Sequence, residues 1–321
     1  MKLDKKLLKA SQIAIVDCMG LQKDEKILII CDKNTRNIAY HLFEISKKYS
    51  NYKPLLIEIP VANVNGEEPP EVVADIMKKF DVVLCPTTKS LTHTQARIEA
   101  SKIGVRIATF PGITEDIMIR GMNADYKKIS EETIKLCNIL EQHKSVTIKT
   151  KLGTNLSFSI DGRKAFASKG LFHAKGESGN LPTGEAYLAP IEGTANGIAV
   201  FDGSFASIGM LDEPITLTIK DGYVTKISGG KQAKELQKML KPFGKDAYNI
   251  AEFGIGTNDK AKLSGNILED EKVKGTIHIA LGNNKSMGGN VGIGIHLDGL
   301  IIKPDVWLDD RKIMEKGKLL V

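Results

Sequence analysis

Short apolar runs recur through the first third of the sequence, and segments with helical spacing separate them. The runs predict strands at Lys26–Cys31, Pro54–Ile59, Asp81–Cys85 and Val105–Phe110. The segments between and after them predict helices at about Asn34–Lys48, Glu71–Phe80, Thr92–Ile103 and Ser130–Glu141. Strands that alternate with helices form a parallel sheet covered on both faces, because the crossovers are right-handed. The first half of the chain is therefore expected to be an α/β domain with a parallel sheet.

The ends of these predicted strands offer candidate binding loops, because ligands of such sheets bind beyond the carboxyl ends of the strands. Asp32–Thr35 and Pro86–Lys89 lie at two of these ends. However, no G-x-G-x-x-G follows the first strand, and the sequence contains no phosphate-binding P-loop. We therefore expect this domain to have a structural, dimerising or substrate-shaping role.

Past His143 the hydrophobic pattern changes. Ser145–Thr150 and Asn155–Ile160 alternate polar and apolar residues, as half-buried strands do. Asp221–Gly222 lies between two further strand-like segments and predicts a hairpin turn. We place the boundary at this change, which gives an α/β domain at 1–143 and an α+β domain at 144–321. The second domain is expected to contain a mainly antiparallel or mixed sheet. It also carries the candidate metal ligands described below, so we expect it to be the metal-binding domain.

Composition limits the cellular setting and the partners. The N-terminal sequence MKLDKKLLKA lacks the long apolar segment of a secretory signal, and the apolar runs are too short to span a membrane. The net charge is only +6, the lysines are scattered, and aromatic residues make up 6% of the chain, which disfavours nucleic-acid binding. We expect a cytoplasmic protein with neither membrane nor nucleic acid as a partner.

Two histidines in apolar strands point to a metal site. His296 and Asp298 form an H-x-D sequence within the predicted strand Val291–Ile302, where residues i and i+2 share a face. His278 lies in a second apolar strand, Gly275–Leu281. A single strand histidine is more often a core residue, but ionisable side chains buried without a partner are costly. The coincidence of two such histidines therefore favours one shared site.

Two glutamates extend this ligand set. Glu252 lies in AEFGIGTN and Glu185 in NLPTGEAYLAP, and the apolar neighbours of both make simple solvation less convincing. Carboxylates combined with imidazoles suit Zn, Mn, Co or Fe(II), and this set could hold two ions. We interpret the acidic run Glu269–Glu271 as a solvated turn, with an orienting carboxylate or a general base as the alternative.

Four stretches of the sequence, taken in order, resemble stretches of the thermophilic-type metallo-aminopeptidases, the aminopeptidase T and aminopeptidase S group. They are NLPTGEAYLAP, AEFGIGTN, EDEKVKGTIHIALGNN and IHLDGLI. The matching region extends from Asn180 to about Ile302. The resemblance implies two divalent ions, Zn, Co or Mn, and a homodimer that removes N-terminal residues from short peptides with a metal-activated water. It implies these metal ligands: Glu185, Glu252, His278, His296 and Asp298.

Two alternatives stay open beside the aminopeptidase. The peptidases carry a tyrosine at the metal site shortly after the matching histidine, whereas the segment between His278 and His296 contains none. A ring-cleaving iron dioxygenase that acts on dihydroxypyridine resembles the same fold and uses two histidines and one carboxylate. The presence of both Glu185 and Glu252 favours the two-metal aminopeptidase. The alternatives are a mononuclear Fe(II) dioxygenase and a non-catalytic dimeric metal-binding protein.

Overall fold

A computed structural model of the protein describes residues 3–321. The α-helices are α1 (Lys5–Gln12), α2 (Arg36–Tyr49), α3 (Glu71–Met77), α4 (Gln95–Lys102), α5 (Glu115–Gly121), α6 (Tyr126–Glu141), α7 (Lys231–Leu240) and α8 (Ile267–Asp270). The strands are β1 (Ile27–Cys31), β2 (Leu55–Glu58), β3 (Val82–Thr87), β4 (Arg106–Pro111), β5 (Ser145–Lys149), β6 (Asn155–Ser159), β7 (Phe166–Ser168), β8 (Ser178–Asn180), β9 (Glu185–Leu188), β10 (Asn196–Phe201), β11 (Ser204–Phe205), β12 (Gly209–Met210), β13 (Ile215–Lys220), β14 (Tyr223–Ser228), β15 (Ile250–Gly256), β16 (Thr276–Gly282), β17 (His296–Ile302), β18 (Asp305–Leu308), β19 (Arg311–Glu315) and β20 (Lys318–Leu319). Within the described residues, no helix has both the length and the apolar character needed to cross a membrane.

The first sheet is parallel and has the strand order β2-β1-β3-β4-β8. Helices α2, α3 and α4 connect its first four strands in sequence. Residues of β1 alternate between the two faces, so that Ile27 and Ile29 pack with α1, α2 and α5, whereas Leu28 and Ile30 pack with α3 and α4. The predicted α/β domain with a parallel sheet is confirmed. Strand β8 was not predicted, because its sequence SGN carries no hydrophobic pattern.

The later part of the chain forms two mainly antiparallel sheets, as predicted for an α+β domain. Their strand orders are β14-β13-β10-β6-β5-β18-β19-β20 and β12-β11-β17-β16-β15-β9-β7. The hairpin between β13 and β14 turns at Asp221 and Gly222, whose φ angles of 49° and 81° are those of the tight turn expected for Asp-Gly. The apolar faces of the two sheets share one core.

Strand alternation gives the sheet that contains β15 and β16 a second, chemically different face. Phe253 and Ile279 belong to the shared core, and the ring of Phe253 packs on Phe158 of β6 with centroids 5.5 Å apart. Their neighbours Glu252 and His278 consequently project from the opposite face. The same register that builds the core therefore also positions the ionisable side chains.

Contacts within the chain define two compact units, and neither is continuous in sequence. The first runs to Ser130 and also contains Ser168–Thr183, and the second contains Glu131–Ala167 and Gly184–Val321. The chain therefore passes between the units more than once, whereas we expected one passage between residues 143 and 144. Every residue selected as a metal ligand belongs to the second unit.

Candidate metal centre

Adjacent strands carry the side chains that the sequence analysis selected as ligands. The order β17-β16-β15-β9 places them side by side although they are distant in sequence. All project from the face opposite the apolar core, as the strand register requires. The set consists of Glu185 in β9, Glu252 in β15, His278 in β16, and His296 and Asp298 in β17. The structure brings all of these side chains together.

Glu252 lies between the two imidazoles. Its Oε1 is 3.3 Å from Nε2 of His278, and its Oε2 is 3.2 Å from Nε2 of His296. The same nitrogen of His296 is 3.4 Å from Oδ1 of Asp298. On the other side, Nε2 of His278 is 3.6 Å from Oε2 of Glu185. The polar atoms thus form one continuous cluster.

The potential donor atoms fall into two groups, within each of which they lie within 4.8 Å of one another. We name these the open group and the closed group according to their exposure to solvent. The open group contains His296, whose side chain is 32% exposed and is the most exposed of all these donors. The open group faces solvent through this histidine, whereas the side chains of the closed group are at most 12% exposed. The open group consists of Glu252, His296 and Asp298, and the closed group of Glu185, Glu271 and His278.

Glu271 and Lys272 were not selected from the sequence. The interpretation of Glu269–Glu271 as a solvated turn is wrong, because Asp270 is fully buried and Glu271 is only 9% exposed. Lys272 is also buried, and its Nζ lies 2.5 Å from Oε1 of Glu185 and forms a second ion pair with Glu271. The only signal in the sequence was a run of charges between apolar segments, and such runs are usually solvated.

Hydrogen bonding determines which nitrogen of His296 faces the cluster. Its Nδ1 is 2.8 Å from the backbone carbonyl oxygen of Asn283. A carbonyl only accepts hydrogen bonds, so Nδ1 carries a hydrogen and donates it. In the neutral ring, Nε2 then has a free lone pair directed at Glu252 and Asp298, which is the arrangement of a metal-binding histidine.

Two glycines of the AEFGIGTN motif make room for the site. A Cβ at Gly254 would lie 2.0 Å from Nε2 of His278, so any side chain there would displace the imidazole. A Cβ at Gly256 would lie 2.2 Å from the carbonyl oxygen of Val273. The motif therefore supplies one potential ligand, Glu252. Its two glycines leave room for the imidazole of His278 and for the backbone beside Lys272.

The charges of the cluster shift its titration strongly. Burial raises the pKa of Glu252, but hydrogen bonds with the two histidines outweigh it and lower that pKa to about 2. Burial lowers the pKa of His278, but the surrounding carboxylates raise it to about 9. Burial and the carboxylates of Glu185 and Asp298 raise the pKa of Glu271 to about 8, which Lys272 only partly opposes. A divalent cation here would compete with protons for the same atoms.

The segment between β16 and β17 is anchored from outside the sheet. Glu192 accepts hydrogen bonds from Nδ2 of Asn284 at 2.9 Å and from the backbone nitrogen of Asn290 at 2.7 Å, and it pairs with Arg163. The strand predicted to begin at Val291 begins only at His296, because the glycine-rich residues before it form this anchored loop. The loop supplies the carbonyl that orients His296.

Comparisons with known proteins cover nearly the whole chain. A family model described as NicX: 2,5-dihydroxypyridine 5,6-dioxygenase matches residues 7–321. The curated 2,5-dihydroxypyridine 5,6-dioxygenase of Pseudomonas putida strain KT2440 is 25% identical over 248 residues, which cover 73% of this chain and 69% of that protein.

Two solved structures share the fold. The 2,5-dihydroxypyridine dioxygenase from Pseudomonas putida KT2440 has a TM-score of 0.83 at 18% identity, covering 100% of this chain and 99% of that one. Wild-type AmpT from Thermus thermophilus has a TM-score of 0.72 at 16% identity, covering 99% of both chains. At these identities the likeness establishes the fold alone, which includes the aminopeptidase-like architecture expected from the motifs.

Proposed function

The chain belongs to the NicX family of 2,5-dihydroxypyridine 5,6-dioxygenases, and on this premise we propose that it is a metal-dependent dioxygenase that opens a hydroxylated aromatic ring. The matched residues include every member of the open and closed groups. The observation that carries the proposal is the convergence of two imidazoles with carboxylates on one sheet face. Two imidazoles and a carboxylate are the ligand set typical of Fe(II) oxygenases.

The main prediction from the sequence, a metallo-aminopeptidase, is wrong. The family model and the curated relative both describe a dioxygenase, so the assignment as a hydrolase and protease is overturned. The motifs that resemble the aminopeptidases consist of strand residues and of side chains that can bind metal ions. Side chains of these types serve in hydrolytic enzymes as well as in oxygenases. The Fe(II) dioxygenase, which is one of the alternatives left open by the sequence, is better supported.

The donor atoms fit an iron ion. The hydrogen bond to Asn283 directs Nε2 of His296 at Glu252 and Asp298. When this nitrogen is deprotonated, its lone pair and the carboxylate oxygens are all available to one cation. We propose that these open-group residues hold one Fe(II), with His278 beside Glu252 as the second imidazole, in place of the two ions predicted from the sequence. When bound, Fe(II) supplies the electron-transfer chemistry that joins dioxygen to the ring.

The protein's own groups orient and shield this chemistry. The carbonyl of Asn283 holds the His296 ring, and the missing side chain of Gly254 admits that of His278. The closed group and the buried strands exclude water from one side, so the substrate reaches the open group beside His296. Tyr187 projects from the same face and stacks on Phe166 with ring centroids 5.6 Å apart, beside the closed group.

Oxygen consumption with a defined ring tests the function. The purified protein, loaded anaerobically with Fe(II), is mixed with 2,5-dihydroxypyridine and isotopically labelled dioxygen. We expect oxygen uptake and a ring-opened product, cleaved between C5 and C6, that contains both atoms of one dioxygen molecule. Retained iron with no oxygen uptake for this or related dihydroxylated rings would instead favour the non-catalytic metal-binding protein.

The homodimer and the cytoplasmic setting remain predictions. Light scattering tests the oligomeric state, and cell fractionation tests the location.

A further inference from the structure

The ligand cluster contains more carboxylates than one divalent ion requires. The open group supplies Glu252 and Asp298, and the closed group supplies Glu185 and Glu271. The two groups meet where Nε2 of His278 lies 3.3 Å from Glu252 and 3.6 Å from Glu185. By side-chain type and spacing alone, such a cluster is suited to two neighbouring ions.

The closed group already contains a cation that belongs to the protein. The ammonium of Lys272 lies 2.5 Å from Oε1 of Glu185 and pairs with Oε1 of Glu271, and its side chain is only 3% exposed. A buried ammonium is stable only with such partners. It therefore occupies one oxygen of each of the two carboxylates that a second metal ion would share.

Backbone contacts fix Lys272 in this position. Its carbonyl accepts a hydrogen bond from the nitrogen of Asn258 at 2.9 Å, and Asn258 in turn accepts one from the nitrogen of Lys274 at 3.0 Å. Gly256 packs against the same segment so closely that a Cβ would lie 2.8 Å from the carbonyl carbon of Lys272. Strand β15 and the residues just after it therefore hold the backbone of Lys272 in the position from which its side chain enters the closed group.

We propose that Lys272 takes the place of a second metal ion and thereby limits the site to one ion, in the open group. This inference rests on the proposed function, because a single Fe(II) is what that function requires. It assigns Lys272 as a specificity-determining residue for metal number, although it lies on the side of the cluster that is closed to solvent. Two like charges a few ångströms apart repel strongly in such a site.

Metal stoichiometry tests the proposal without any assay of turnover. The metal-free protein is titrated with Zn(II) and, separately, with Mn(II), and bound metal is measured by elemental analysis. We expect one ion per chain in the native protein and two in Lys272→Met, with second-ion affinity at least about 100-fold higher in the variant. Mn(II)-loaded Lys272→Met should also show the magnetic coupling of paired ions in electron paramagnetic resonance, and the native protein should not.

Three further variants separate charge from structure. Lys272→Arg keeps the charge and should bind one ion. Lys272→Met combined with Glu271→Gln removes a ligand of the freed position and should return to one ion. Lys274→Met removes a neighbouring lysine that pairs with Glu132 outside the cluster, and it should behave as the native protein.

Two results would overturn the proposal. One is tight binding of two ions by the native protein, a measurement that needs no variant and no folded mutant. The other is a single bound ion in whichever of Lys272→Met and Lys272→Gln is shown by circular dichroism to be folded. Neither result depends on oxygen uptake, so the failure of this inference is distinguishable from the failure of the proposed function.

Discussion

Nδ1 of His296 donates a hydrogen bond to the carbonyl oxygen of Asn283 over 2.8 Å. The bond joins the first residue of β17 to the loop that precedes it. It orients the ring so that the opposite nitrogen faces the carboxylates of the open group. The ligand geometry therefore depends on the loop between β16 and β17 as well as on the sheet.

Replacing His296 with alanine should weaken metal binding by the open group. The change removes one donor and leaves Glu252 and Asp298 as two facing carboxylates, so we expect metal affinity to fall at least about tenfold, with loss of oxygen uptake. Elemental analysis after dialysis measures the bound metal. His173→Ala is the matched control, because this exposed histidine contacts the backbone of Asp17 in the first unit. Native metal content in His296→Ala would count against the open group as the binding site.

Replacing Gly254 with alanine should displace His278 without adding or removing any charge. The new Cβ would lie 2.0 Å from Nε2 of His278, and overpacking of this kind destabilises a protein by about 1–3 kcal/mol. We expect a lower melting temperature and weaker metal binding. In the control Gly294→Ala, the Cβ meets only Phe243 at 3.4 Å, so both measurements should stay near native values. Equal effects of the two substitutions would contradict the role given to Gly254.

The stability of the metal-free protein should fall between about pH 6.5 and pH 9. The pKa of His278 rises from 6.5 to about 9 in the folded state, so folding binds a proton that the unfolded chain has released in this range. The stabilisation is fully present below pH 6.5 and disappears as the pH rises through 9. Metal binding should strengthen over the same range, because the ion replaces that proton. Urea unfolding with and without Zn(II) at several pH values measures both trends, and parallel curves would refute the competition.

Replacing Glu192 with alanine should release the loop that orients His296. The side chain holds Asn284 and Asn290, so its loss should speed hydrogen exchange at the amides of residues 290 and 291. We expect faster metal release, by about tenfold, although Glu192 is not a ligand. Glu235→Ala, on the exposed side of α7, serves as the control. Unchanged exchange in the loop would show that its other contacts suffice.

Features with a local cause were predictable from the sequence. Strands β1 to β4 follow from apolar runs, and the turn at Asp221 follows from the conformations that Asp-Gly adopts. The candidate ligands were recognisable because ionisable residues such as His278 and His296 are unusual in apolar strands. Each of these signals is contained within a few consecutive residues.

Features that depend on distant partners were not predictable. The burial of Lys272 requires carboxylates from β9 and from the turn after α8, and nothing within EDEKVKG distinguishes it from a solvated lysine. Strand β8 exists because it hydrogen-bonds to β4, since its own residues carry no pattern. The reaction was misassigned for a related reason, because the motifs indicate candidate ligands and do not indicate the reaction that these would support.

Core residues and potential ligands alternate along the same strands, and this has a consequence for which changes in chain length the protein tolerates. One residue inserted within β16 would move Ile277 or Ile279 to the ligand positions and His278 into the apolar core. Folding and metal binding would then be lost together, whatever residue was inserted. We therefore expect insertions and deletions to be tolerated in the connections, such as the loop between β16 and β17, where length can vary without changing the direction of any strand side chain.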